Sequence, residues 1–282
     1  MAPNKDVEEH MTDDGTTDPS ETRSVKTALR PRDAATLVII DRSVGGGFRV
    51  LMGKRRADLA FIPGKYVLPG GRVDRADRTV TLAADLRAGE VAKLMIGMRG
   101  NPSEARARAL AAAAVREAFE EAGIVIGAPA AFAASAGSGS LTPPWASFFA
   151  MGLAPALDGL TFFARAITPP GRPRRFDTRF FCMDASRIVE RRAINDGELS
   201  GLDWLTPEEA RGLDLPRITR VVLEDLEEQI AAGTLDDGTN HVPFYYMRGS
   251  TFRRDLIRAG GPNLAYFDEA DREEIDPEKA DD

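Results

Sequence analysis

The chain has 282 residues, a formal net charge of −7 and a pI near 5.1; 43% of its side chains are hydrophobic and 29% are charged. Such a mix suits a globular protein with one elaborated core, and a net-negative molecule repels polyanions, which argues against a nucleic-acid partner. Cys182 is the only cysteine and His10 and His241 are the only histidines, which excludes an internal disulfide, a zinc site built from two or more cysteines and a three-histidine metal site.

Catalysis in such a chain falls to carboxylates or hydroxyls. The longest apolar run, Ala109 to Val115, is far short of the ~20 residues of a membrane-spanning helix, and no basic start precedes an apolar secretion core. A cytoplasmic protein with no membrane partner is expected. Residues 1–30 are rich in Asp, Glu, Thr, Ser and Pro and the end of the chain is mostly charged, so disordered tails are expected at 1–30 and 261–282 around a domain at 31–260.

Ala34 to Ile40 and Phe48 to Met52 read as two strands joined by the turn Gly45-Gly46-Gly47. A phosphate-binding glycine loop calls for Lys-Ser or Lys-Thr opening a helix, and here a strand follows. Phe61 to Gly71, with its prolines and glycines, reads as a shaped loop, a short strand and a tight turn. From Asn101 the pattern is helical: Asn101 as cap, Pro102 at the first helical position, Glu104 closing a capping box and Gly123 as the stop. Leu160 to Ile167, Asp177 to Met183 and Glu198 to Leu205 are strand-like, and Pro216 to Ala232 is an amphipathic helix. The order of elements predicts a layered α/β domain.

At about 100° per residue, Val115, Ala118, Phe119 and Ala122 share one face of the first helix, and Glu117, Glu120 and Glu121 share the opposite one. A solvated acidic face is one reading. Against it, the acids sit in the last turns, where the helix dipole disfavours each by ~0.3–1 kcal/mol. Two such charges ~6 Å apart also repel by about 3 kcal/mol at an effective dielectric of ~20. A cation offsets both costs, and hard oxygen ligands select Mg²⁺ or Mn²⁺.

Gly71, Asp77, Arg116-Glu117, Glu120-Glu121, Gly123 and Ile124 resemble the signature of the Nudix hydrolases. Asp77 stands where that signature has its first Glu, and 38 residues separate Asp77 from Arg116 where the signature has about seven. The split is similar to a long-insert branch of the superfamily that includes a peroxisomal acyl-coenzyme A diphosphatase. The likeness extends from Ala34 to Glu209, through Lys54-Arg55-Arg56, Phe61-Ile62-Pro63, Leu68 to Gly71 and Gly171 to Phe181. Arg55, Gly64 and Pro69-Gly70-Gly71 fit a coenzyme A motif of related enzymes; Arg56, Ala60 and Leu68 depart from it.

The resemblance implies a Nudix-type α/β/α sandwich with a mixed sheet and a helical insertion, about 78–108, inside the signature. It implies Mg²⁺ or Mn²⁺ held by Glu117, Glu120, Glu121 and the Gly71 carbonyl, with Arg116 fixing a glutamate. Asp77 and Asp74 stand as supporting acids or as turn residues. Glu198 stands as a further ligand or base, or as a surface acid. Arg172, Arg174, Arg175 and Arg179 read as a phosphate clamp or as a solvated loop, with Arg55 beside them as a substrate contact. Phe162, Phe163, Phe176 and Phe180 read as core, one of them free to stack on adenine. The implied reaction is cleavage of coenzyme A or acyl-coenzyme A to adenosine 3′,5′-diphosphate and a phosphopantetheine product. The alternatives are another nucleoside diphosphate derivative, such as ADP-ribose or a dinucleotide, and a binding or regulatory module without turnover.

Overall fold

The first strand, β1 (Arg32–Asp41), organises the domain because it is apolar on both sides. Leu37 and Ile39 enter one buried cluster and Val38 and Ile40 the other, so the unbroken apolar run meets the requirement of a strand covered on two faces. The computed structural model describes residues 29–43, 45–58, 63–130, 142–193 and 198–261. Nearly all of both expected tails, Ala60-Phe61-Ile62 and Gly197 lie outside the described residues.

After β1 come β2 (Arg49–Arg55), β3 (Tyr66–Val67), β4 (Gly70–Arg72), α1 (Ala88–Met95), α2 (Glu104–Ala122), β5 (Ile124–Val125), β6 (Gly127–Pro129) and α3 (Pro143–Phe149). There follow β7 (Leu153–Pro155), β8 (Thr161–Ile167), β9 (Phe176–Asp184), β10 (Glu190–Arg191), β11 (Leu199–Leu205), α4 (Pro207–Arg211), α5 (Arg217–Ala231), α6 (Thr234–Asp237), β12 (Val242–Arg248) and β13 (Thr251–Ile257). The main sheet runs β11-β2-β1-β9-β8-β12-β13, with β3 on β2 and β4 on β1. It is mixed: β1 is parallel to β9 and β8 to β12, while β2 and β11 pair antiparallel. Two short sheets, β5 with β10 and β6 with β7, complete the fold.

Helices cover both faces. The apolar side chains of α1, α2 and α3 share the cluster of Leu37 and Ile39, and those of α4, α5 and α6 share that of Val38 and Ile40. This is the α/β/α sandwich with a helical insertion that the sequence predicts; α1 lies in the segment splitting the signature and packs through Val91 and Leu94. Alanines at 107, 109 and 111–114 are buried; their high helix propensity stabilises α2, and their small size lets it lie close to the sheet.

The expected start of α2 needs correction. Asn101 does not cap α2: Ser103, extended at φ −156° and ψ 151°, accepts a hydrogen bond from the Arg106 amide, and Glu104 opens the helix instead of closing a capping box. The reason is tertiary, because the Arg106 side chain then reaches Asp33 on β1 at 2.7 Å and pins the helix start. The hairpin β12–β13, which widens the sheet beyond β8, and the helix α3 are absent from the sequence reading. Gly123 does end α2, left-handed at φ 64°.

Candidate active site

β1 and β2 pair only at Ile40–Asp41 with Arg49–Val50, and the gap that opens below is filled by β3 and β4. Pro69, between them, receives the Leu37 amide on its carbonyl at 2.9 Å. This seats Gly70 and Gly71 against the acidic end of α2. The Gly70 amide donates to Glu121 Oε2 at 3.0 Å, and any Cβ on Gly71 would collide with the Glu117 carboxylate. A side chain at 71 would push that carboxylate aside, whereas one at 70 would meet the backbone of Ala35 and Thr36, so the steric requirement for glycine is at 70; the two ends of the split signature meet in space.

Arg116 ties them together. Its Nε and Nη2 grip Asp77 at 2.9 and 3.1 Å, Nη2 also reaches the Arg72 carbonyl at 2.9 Å, and Nη1 holds Glu117 and Glu120 at 2.9 and 2.7 Å. Burial alone would loosen the guanidinium's proton, but Asp77, Glu117 and Glu120 outweigh it and hold the charge. Asp77 is itself buried and accepts the Trp145 indole N–H at 2.9 Å as well as the Arg116 fork; its carboxylate also caps the Asp74 amide at 2.8 Å. Asp77 thus serves both as turn residue and as anchor of Arg116. Nothing in the sequence marks Trp145 for this part: it lies in an apolar stretch, and only Asp77 beside it reveals the function of its N–H.

The three glutamates are not equivalent. Side-chain exposure is 13% for Glu117 and 10% for Glu121 but 35% for Glu120, so two of them face a cavity and not open solvent. Burial, partly offset by Arg116, pushes Glu117 up to about 7. Burial also raises Glu121, with the charges of Glu117 and Glu198 adding to the rise. Among the described residues no three His, Cys, Asp or Glu side chains are gathered closely enough to hold a metal ion as they stand. The donor chemistry nevertheless fits a hard divalent cation: two largely desolvated carboxylates, one sharing Arg116 with Glu120 and Asp77 and the other 3.9 Å from Arg55, a third nearby, and oxygen donors throughout.

Glu117 and Glu121 border a cavity of about 490 Å³ whose other walls include Arg55, Arg174, Phe176, Phe180 and Glu198. Arg55 lies 2.7 Å from Glu198 Oε2 and 3.9 Å from Glu121 Oε1, so it bridges the acid just before β11 to the acid on α2. The proposed arginine clamp is only partly assembled. Arg174 faces the cavity and Arg172 faces an adjoining one. Arg175 instead spends its guanidinium on the carbonyls of Thr168 and Leu29. Arg179 is wholly buried on Asp33 and Asp177 at 3.0 Å each. On β9 alternate side chains face opposite ways, so Phe176, Thr178 and Phe180 point to the cavity and Arg179 away from it. Phe162 and Phe163 are core, and Arg56 is engaged with Asp58.

A mixed sheet between helices, with a glycine turn seated on an Arg-Glu and Glu-Glu helix end, defines a Nudix architecture. A crystal structure of a NUDIX hydrolase from Alicyclobacillus acidocaldarius is 30% identical over 73% of this chain and 97% of its own, with a TM-score of 0.52. A curated Caenorhabditis elegans protein named as nudix hydrolase 7 is 30% identical over 63% of this chain; the chain spans about half, 52%, of that relative's length. No protein-family model matches the sequence. The chain belongs to the Nudix hydrolase superfamily.

Proposed function

We propose that the protein is a divalent-metal-dependent pyrophosphohydrolase of nucleoside diphosphate derivatives, and that coenzyme A or its acyl thioesters are its substrates. The observation that carries the chemistry is the pair Glu117 and Glu121, largely desolvated in the wall of a cavity that Arg55 and Arg174 also line. Glu117, Glu120, Glu121 and the Gly71 carbonyl would hold Mg²⁺ or Mn²⁺, which when bound neutralises diphosphate oxygens and acidifies water. Arg116, fixed by Asp77, sets the orientation of Glu117 and Glu120. Arg55 and Arg174 offer planar donors that match phosphate oxygens, and Glu198, half-exposed at the cavity, accepts the proton of the attacking water. The water oxygen bonds to one phosphorus, the P–O–P bridge breaks, and the bridging oxygen leaves with the other phosphate.

Support for a coenzyme A substrate rests on Arg55 in its motif context and on its position in the cavity, since Arg56 is paired elsewhere and Arg175 and Arg179 face away. A panel of coenzyme A, 3′-dephospho-coenzyme A, ADP-ribose and a dinucleoside polyphosphate, assayed with Mg²⁺ and with Mn²⁺, tests both levels. The expected result is turnover that stops on chelation, kcat/KM highest for coenzyme A, and Arg55→Ala shrinking the preference over the dephospho form. Added salt should weaken binding. Equal values for the two forms, or a preference for ADP-ribose, would remove the coenzyme A assignment; no metal-dependent turnover of any of them would remove the chemistry.

A further inference from the structure

Beside the cavity of Glu117 and Glu121 lies a second of about 500 Å³, and Thr178, Phe180 and Ile218 border both. Its outer wall is the hairpin β12–β13, which supplies Tyr245, Met247 and Phe252. Phe252 stacks on Tyr245 at 5.8 Å between centroids and 16° between planes, with the Arg217 guanidinium 5.6 Å over its own face, yet it stays 48% exposed. Arg172 and Arg217 line this cavity and Arg174 lines its neighbour; none of the three has an ion-pair partner among the described residues. β13 closes the order of the main sheet, so its outer edge is open among the described residues, and an open edge is a template for another strand.

We propose that this edge and the cavity behind it are the docking surface of the chain's own C-terminal segment, residues 262–282, whose acids then screen these arginines from an anionic substrate. The docking is argued from geometry and charge; the screening rests on the diphosphate-hydrolase reading of the adjoining site. After β13 ends at Ile257 the chain reverses: the Gly261 amide donates to the Arg258 carbonyl at 2.9 Å, and Gly260 is left-handed at φ 70°. A chain leaving that turn runs back along β13. Phe267, six residues past Gly261, then falls opposite Phe252, six residues before Arg258. Residues paired across strands share a face of the sheet, so the two phenyl rings meet over the cavity. Nine of the fifteen residues from Asp268 to Asp282 are acidic and two are basic, so this segment carries the whole of the chain's net charge of −7. An aromatic followed by acids complements an exposed phenyl rimmed by guanidinium groups. Fully extended, fifteen residues span ~50 Å, ample to pass from Phe252 to Arg172 and Arg174. A second copy has the same net charge and is repelled, whereas a tethered segment meets its site at a roughly millimolar effective concentration.

Two measurements on the full chain test it. The register that pairs Phe252 with Phe267 also sets Thr251 opposite Asp268. With Thr251→Cys and Asp268→Cys, oxidised glutathione should close an intrachain disulfide at least tenfold faster than with Val189→Cys and Asp268→Cys. Val189 is exposed next to β10, whose Arg191 lies over Trp204 of β11 at the other edge of the sheet, and the native Cys182 is buried. Adding Phe267→Ser should slow the first reaction to the rate of the second. In the otherwise native chain at low ionic strength, Phe267→Ser and Phe252→Ala should each lower KM at least threefold for the best substrate of the diphosphate panel, with kcat little changed. Disulfide closure at the control rate, or an unchanged KM in an active enzyme, would overturn the proposal. So would a KM raised by Phe252→Ala, which assigns the cavity to substrate, or a disulfide linking two chains, which assigns the edge to a second copy. If no diphosphate is hydrolysed, the reading of the adjoining site falls and the disulfide rates decide the docking alone.

Discussion

Glu121 is the residue on which the chemical proposal is most exposed to test. Glu121→Gln keeps an oxygen that can accept the Gly70 amide bond and makes no cavity, so the fold should persist while turnover falls by more than the ~100-fold that disturbing a metal ligand's outer partners costs. The rise in Tm on adding Mg²⁺, expected from ligand linkage, should disappear in the same variant; a normal Mg²⁺ response would show that the cation binds elsewhere. Trp145 acts at one remove. Trp145→Phe deletes the N–H held at 2.9 Å by Asp77 and leaves a ring in the cluster with Phe148. Stability should drop by ~1–3 kcal/mol for the lost buried bond, and kcat should fall with KM little changed, because the loss reaches the glutamates through Asp77 and Arg116. Arg116→Lys cannot reproduce the fork and should mimic the kinetic effect more severely, as initial-rate measurements on both variants would show.

The helix α2 shows how an element's boundary is chosen. Asn101 and Ser103 are both good capping residues, and the contest is settled by Arg106, whose amide donates to the Ser103 hydroxyl while its side chain binds Asp33. Ser103→Ala should therefore cost ~1 kcal/mol in thermal or urea unfolding, and Asn101→Ala almost nothing; the reverse ranking would restore the cap to Asn101. At its other end, α2 carries its acids where the dipole penalises them, and no basic residue occupies the last turn to compensate. The Gly70 amide, from outside the helix, and Arg116, from its preceding turn, provide part of the compensation.

Across the whole molecule, the two faces of the sheet divide the work. One face holds α2 and the signature; the other carries α5, whose Ile218 borders both cavities. Near the edge of the site Asp177 lies wholly buried with Arg165 and Arg179. Burial raises the Asp177 carboxyl, but the two arginines outweigh it and hold it below the usual carboxylate range. A depressed carboxylate contributes stability that is present above its unfolded value, about 3.9, and is lost as pH falls through the folded one. The urea midpoint of the native protein should thus drop steeply below pH ~4. Asp177→Asn, which strands buried Arg165 and leaves Arg179 with Asp33 alone at a cost of ~3–5 kcal/mol, should be less stable at pH 7 and lose less on acidification. Parallel pH profiles for the two proteins would place the acid sensitivity elsewhere.

What the linear chain determined by itself is what local chemistry encodes. The apolar run of Ala34 to Ile40, the alanine-rich helix ending at Gly123 and the acids at 117, 120 and 121 each carry their own signal within a few residues, and from them the layered fold and its acidic helix end were legible. Only the tertiary structure decided the rest. It brought Gly71 against Glu117 across the insertion, recruited Trp145 to Asp77, and divided the arginines of 172–179 into those that face a cavity and those that are buried or tied to backbone. The reason is that a side chain's reach and desolvation depend on which element packs over it. A guanidinium at 179 and one at 174 are the same group in sequence, and β9 sends one into the core and leaves the other on the cavity wall.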